Sequence, residues 1–225
     1  MNVLKILQIQ HTSEQISALW TGYHSSLSRG TGRGFLSAVI PLDKYKMLAS
    51  KARIYPTFLL PLRRALHNDQ VEKSTTEGDD AYEFYLMQWA FYPCPPLPTS
   101  DPFEPLTASP NPDISTILFT PLQEYKLRQT FATPHLVLTH YTEFASSHGL
   151  VLMRGELTPS SSRPGEYPLS QQDAQLLAFG VQRFYLTQEG TEGSKERSKL
   201  LQSFHETPAQ FEWKKLLEHA NPTRP

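Results

Sequence analysis

Residues 117–126 read ILFTPLQEYK, residues 135–144 HLVLTHYTEF and residues 148–156 HGLVLMRGE, and this stretch decides the fold class. Ile117, Leu118 and Phe119 make a short apolar strand. Pro121 follows where a first helical turn has spare N–H groups, so its missing donor costs nothing. The strand therefore gives way to a helix from Leu122 to about Gln129. Residues 135–141 alternate with period two and so do 150–157, with Gly149 as the turn residue before the second run. Strand, helix, strand, short turn or helix, strand is a scaffold, and nothing in it has the makeup of a reaction centre.

Toward the N-terminus, Thr12 and Gln15 have the spacing of a capping box, so a helix begins near Ser13. Its apolar positions Ile16, Leu19, Trp20, Tyr23 and Leu27 recur at helical spacing and predict one buried stripe. A glycine-rich connection, 29–34, leads to a strand over 35–40, and Pro41 opens a helix to about Ala52. A strand over 57–60 comes next, then a polar loop over 63–80. In 82–91 both alternating sets are apolar, Phe84, Leu86 and Ala90 against Tyr85, Met87, Trp89 and Phe91. A strand covered on both faces belongs in the interior of a sheet, so this one is expected at its centre.

Toward the C-terminus, a Ser/Pro loop leads to the longest helix, about 170–186, with Ser170 and Asp173 at capping spacing. A Gly, Thr, Glu and Ser stretch at 190–194 ends it. A last pair of helical segments follows, the second opened by Thr207 and Pro208 and carrying Phe211, Leu216 and Leu217. Between the strands, residues 93–113 hold eight prolines, which remove ladder donors and fix φ, so they form an inserted loop. No internal repeat is apparent. The reading is an α+β fold: a single mixed, mostly antiparallel sheet of about six strands flanked by helices, within one domain over 1–225.

Composition narrows the function classes. The chain has 225 residues, 39% hydrophobic and 19% charged, with 21 basic against 22 acidic side chains. That balance, without a Lys/Arg run, argues against a nucleic-acid surface. Cys94 is the only cysteine, so no internal disulfide forms, and a reducing or redox-neutral compartment fits. No apolar run approaches the ~20 residues of a membrane-spanning helix, so membrane insertion is not expected.

Candidate chemistry is thin. The RGTGRG run at 29–34 lies between a helix and a strand, the reverse of the order in which a phosphate-binding glycine loop aims its N–H groups, and no Gly-Lys-Ser/Thr accompanies it. No nucleotide site or other cofactor is therefore expected. His135 and His140 are an odd number of residues apart and point to opposite faces of a strand, so they do not form a metal pair. Cys94 sits among prolines with no histidine beside it in sequence, and no G-x-S-x-G occurs. Arg154 and Glu156 share a strand face and read as an ion pair or a partner contact before an acid/base pair.

Binding is what remains. On the long helix Ala174, Leu177, Val181 and Phe184 form a sheet-facing stripe, while Leu176, Phe179 and Leu186 lie nearly opposite. Such a helix is either buried twice, with residues 204–217 over its second face, or keeps a surface for a partner. Phe58, Leu59 and Leu60 pose a similar choice between a buried strand and an edge strand that offers backbone and side chains to another chain. These six residues are the candidate partner contacts.

A set of short words in fixed order carries a family resemblance: EQISALWTGYH at 14–24, AVIP at 38–41, PTFLLPL at 56–62, YEF at 82–84, FTPLQEYK at 119–126, LTHYT at 138–142, VLMRGE at 151–156, and a tail over 204–217 with Pro208 and Phe211. The chain resembles, over roughly 13–92 and 114–219, the mitochondrial assembly-factor family that chaperones the catalytic β subunit of F(1), the soluble sector of ATP synthase. The 93–113 insertion departs from that pattern. The resemblance implies a non-enzymatic chaperone of the mitochondrial matrix that binds the free β subunit and masks its α-facing surface until the α/β hexamer assembles. The opening MNVLKILQIQHTSEQ has no transit-peptide composition, so the location rests on the resemblance alone. The alternatives are a small hydrolase using Arg154, Glu156 and a histidine, and an adaptor that presents the PxxP spacings of the 93–113 loop.

Overall fold

The computed structural model describes residues 6, 11–28, 33–64, 81–96, 109–186 and 192–220. Six strands, β1 Phe35–Pro41, β2 Thr57–Arg64, β3 Ala81–Tyr92, β4 Ile114–Pro121, β5 Leu136–Tyr141 and β6 Leu150–Leu157, form one sheet in the order β1-β6-β5-β4-β3-β2. Every described pairing is antiparallel. The described helices are α1 Ser13–Leu27, α2 Leu42–Ile54, α3 Leu122–Arg128, α4 Ala145–His148, α5 Gln171–Tyr185, α6 Glu192–Glu206 and α7 Trp213–Ala220. The α+β reading with a six-stranded sheet therefore holds, with the described pairings all antiparallel where a mixed sheet was expected.

Local chemistry sets several of the ends. Thr12 and Gln15 form the expected reciprocal capping box at α1. Ser170 accepts from the Asp173 N–H to open α5. Pro121 ends β4 and leads directly into α3. Gly149 takes φ +65°, the left-handed turn that joins α4 to β6.

The main core lies on one face of the sheet. Phe58, Leu60, Met87, Ile117, Phe119, Leu136 and Leu138 face Leu177, Val181, Phe184 and Leu201 across it. The other face is covered at one corner by α1, where Ile16 and Trp20 meet Phe144 and Leu152, and the Trp20 Nε1–H donates to the Met153 carbonyl at 3.0 Å.

Five expectations are corrected. The strand over 82–91 is not central: β3 is next to the edge strand β2, and β4 and β5 hold the centre. Period-two burial reports covered faces, not how many strands lie to each side. On α1 the buried line is Ile16, Trp20 and His24, while Leu19 and Leu27 are exposed. His24 joins the core because its Nδ1 pairs with the Trp20 carbonyl at 3.0 Å. β2 runs on through Pro61 to Arg64, so residues 63 and 64 are strand; 65–80 lie outside the described residues. Gly193 and Ser194 fall inside α6, where a break was expected, and Thr207 and Pro208 open only a 3₁₀ turn, with Phe211 left between it and α7. The ends of the proline-rich segment, 93–96 and 109–113, are irregular as expected; 97–108 lie outside the described residues, as do 29–32 of the glycine-rich connection.

Candidate partner-binding groove

α5 packs on β2 with glycine at residue 180, where no side chain separates the helix from Leu60. A Cβ there would lie 3.0 Å from a Leu60 methyl carbon, closer than ordinary contact. One flank of α5 stands beside the outer strand β2, and α7 packs against the same strand. Between them lies a groove of about 250 Å³, lined by Leu60, Pro61, Leu62, Arg63 and Tyr82 from the strands, Leu176, Leu177, Phe179 and Gly180 from α5, and Leu217 and Ala220 from α7. Leu176 and Phe179 stand on its wall 38% and 45% exposed. Large apolar side chains left in water beside a concave apolar surface are what an interface requires before its partner arrives.

One end of the groove is held by ion pairs. The Arg64 guanidinium reaches Asp173 in the first turn of α5 at 2.6 Å and Glu83 of β3 at 2.5 Å. The Tyr85 hydroxyl extends this network, 3.3 Å from Glu83 and 3.3 Å from His135 Nδ1. Burial raises the Tyr85 hydroxyl far above the usual phenol range and holds His135 below its ordinary imidazole value. α7 is tied to α6 through His219, whose Nε2 meets Glu196 at 2.7 Å.

Of the six candidate contacts, the structure sets Leu176 and Phe179 on the wall of the groove, while Leu60 lies at its floor, 2% exposed and part of the main core. Phe58 is fully buried in the core, its ring 4.9 Å from Phe184 and 5.5 Å from Phe204. Leu59 is half-buried on the opposite side of the sheet, and Leu186 caps α5 while packing against the core. Residues 204–217 do approach α5, yet they leave Leu176 and Phe179 open. Pro61, Tyr82, Leu217 and Ala220 were missed by sequence reasoning, because their convergence is tertiary. Another pair of exposed side chains, Leu127 at 85% and Phe131 at 86%, marks the end of α3; their spacing of four was the available signal.

The chemistry candidates separate. His140 is sealed in the core with Nδ1 3.0 Å from the Ser115 hydroxyl, and burial lowers its pKa to about 4. Arg154 and Glu156 pair with each other on the sheet face opposite His140, so these three do not converge. Cys94 is buried, with Sγ against the Pro95 carbonyl at 3.7 Å. Among the described residues no three His, Cys, Asp or Glu side chains converge as a metal site.

The family model described as "ATP11 protein" matches residues 1–217. The chain belongs to the ATP11 family. It is 33% identical over 192 residues to "Protein atp11, mitochondrial" of Schizosaccharomyces pombe, covering 85% of this chain and 54% of that protein. It is 27% identical over 202 residues to the mouse "ATP synthase mitochondrial F1 complex assembly factor 1", covering 90% of this chain and 45% of the relative. The human protein of the same name is 26% identical over 204 residues, 91% of this chain and 45% of the relative. The chain spans about half the length of the curated relatives it matches.

Proposed function

We propose that this protein is a non-enzymatic chaperone of the mitochondrial matrix, a single domain that binds the free β subunit of F1, masks its α-facing surface and releases it as the α/β hexamer forms. The observation that carries this reading is the open apolar groove between β2, α5 and α7, with Leu176 and Phe179 exposed on its wall. The names of its relatives, F1 complex assembly factors, support an assembly role. Obligate subunit interfaces are hydrophobic and aggregate when unpaired, so a masking surface must itself be apolar. Release by competition from the α subunit then requires no nucleotide.

The test is aggregation of the isolated β subunit followed by light scattering. Added at a near-equimolar ratio without ATP, the protein suppresses the signal; a strict ATP requirement sinks the reading. Phe179→Asp leaves the melting temperature within a few degrees yet weakens the suppression. Val181→Asp sets an unpaired charge in the core and costs roughly 3 kcal/mol or more of stability. If Phe179→Asp melts the protein as severely as Val181→Asp, the wall of the groove is core and the docking surface lies elsewhere.

A further inference from the structure

The two edges of the sheet present different hydrogen-bonding groups to an incoming chain. At β2 the Trp89 N–H donates to the Pro56 carbonyl at 2.8 Å, so the antiparallel pattern turns the backbone of 58, 60 and 62 toward β3 and that of 57, 59, 61 and 63 outward. The Thr57 carbonyl already accepts from His205 at 2.6 Å, and Pro61 has no N–H. Because Pro61 falls inside the outward row of β2, whereas Pro41 stands at the end of the outward row of β1, it is the β2 edge that is interrupted.

At β1 the Leu157 N–H donates to the Gly34 carbonyl at 3.0 Å. Leu36, Ala38 and Ile40 therefore pair with β6, and Phe35, Ser37, Val39 and Pro41 face outward. The Phe35 carbonyl accepts from Gln171 Nε2 at 2.5 Å. The outward N–H and C=O groups of Ser37 and Val39 have no partner among the described residues. Gln171 carries a second signal: its Oε1 is buried without a donor. Rotating the amide would set two acceptors against each other at Phe35, so this oxygen is left without a donor among the described residues. There is room for one. A groove of about 390 Å³ lies between β1 and the Gln171, Gln175 and Gln182 face of α5. Beyond it a further groove lies between Val39 and the Glu14, Ser17, Ala18, Thr21 and Gly22 positions of α1, and a Cβ at Gly22 would meet nothing within 4 Å.

We propose that β1 is a docking edge on which a short extended segment of the client subunit adds as a further strand, bonded to the backbone of Ser37 and Val39 and donating one N–H to Gln171 Oε1. This rests on the chaperone reading above. Backbone hydrogen bonds supply the attachment, and the glutamine wall selects uncharged polar side chains on the segment. A second copy of this chain is a poorer occupant: the self-pairing that uses all four outward residues is centred on Ala38 and sets Pro41, which has no N–H, opposite Phe35, leaving Gln171 unpaired.

Residue-resolved amide hydrogen exchange of the full chain, alone and with isolated β subunit, tests this. The Ser37 and Val39 amides exchange rapidly in the free protein and slow at least tenfold in the complex, whereas Leu36, Ala38 and Ile40 are protected in both. Val39→Pro removes an outward donor without touching the β6 ladder and weakens binding about tenfold; if it does not fold, Gln171→Leu, outside the strand, is expected to weaken binding likewise. Binding without slowing at Ser37 and Val39 overturns the inference and leaves the chaperone reading standing. Protection already present in the free protein, or growing with the concentration of this protein alone, overturns it too. If the β subunit is not bound at all, the chaperone reading falls and takes this inference with it.

Discussion

Gly155 shows how one side chain's absence shapes the sheet. It sits mid-strand in β6, where glycine usually weakens a strand because it packs nothing and loses the most backbone freedom on folding. Here a Cβ would lie 2.8 Å from Leu36 Cβ and 2.9 Å from a Leu138 methyl carbon, so the space is already filled from both neighbouring strands. The clash outweighs the entropy gain: Gly155→Ala is expected to destabilise by about 1–3 kcal/mol, seen as a lower midpoint in urea at unchanged slope. A stabilised variant would mean that Leu36 and Leu138 repack freely. Gly180 acts similarly for the groove, and a larger residue there pushes α5 away from Leu60.

At the scale of elements, the proline-rich segment divides into anchored ends and a middle. Cys94 is buried. At the other end Asn111 Nδ2 donates to the Glu143 carbonyl at 3.2 Å, the Ser146 N–H donates to Asn111 Oδ1 at 2.8 Å, and the Thr142 hydroxyl donates to the Pro112 carbonyl at 2.6 Å. Tyr45 of α2 donates to the Asp113 carbonyl at 2.6 Å, tying this end beneath the helix layer. Replacing only 97–108 by a short flexible linker is therefore expected to keep the melting temperature within a few degrees, since loop closure changes by only about 0.6 kcal/mol per doubling of length. Removing 94–112 strips the anchors and lowers it clearly. Equal melting temperatures for the two deletions, read by calorimetry, would show that the anchors contribute nothing; loss of β-subunit binding in the shorter deletion would favour an adaptor role for the proline motifs.

For the whole molecule, buried histidine is expected to make stability fall in acid. His140 lies under α2 with Ser115 and Tyr45, and its pKa is about 4 in the folded protein against an ordinary 6.5. The unfolded chain therefore binds the proton that the folded core refuses, and stability falls as pH drops from about 6.5 toward 4. The full effect is on the order of 3 kcal/mol, at 1.36 kcal/mol per pKa unit. His135, whose pKa is also lowered by burial, acts in the same direction. Urea denaturation across this range should show the decline, and His140→Gln should flatten it; an unchanged slope in the variant places the acid sensitivity elsewhere.

The amino-acid sequence by itself determined the elements and their polarity: capping pairs at Thr12 and Ser170, strand alternation at 135–141 and 150–157, Pro121 and Gly149 as switches, and the buried stripe from Ala174 to Phe184. These are local events, decided by backbone donors, φ preferences and side-chain period within a few residues. It also yielded the outward placement of Leu176 and Phe179. Strand order, the groove and the inequality of the two edges were decided only by tertiary structure. Period two reports that a face is covered and not by which strand, so β3 read as central. Phe58, Leu59 and Leu60 are consecutive in sequence, yet the pleat sends Leu59 to the opposite face and the helices bury Phe58. Leu60 is covered at the floor of the groove because Gly180, 120 residues away in the chain, lets a helix settle onto it.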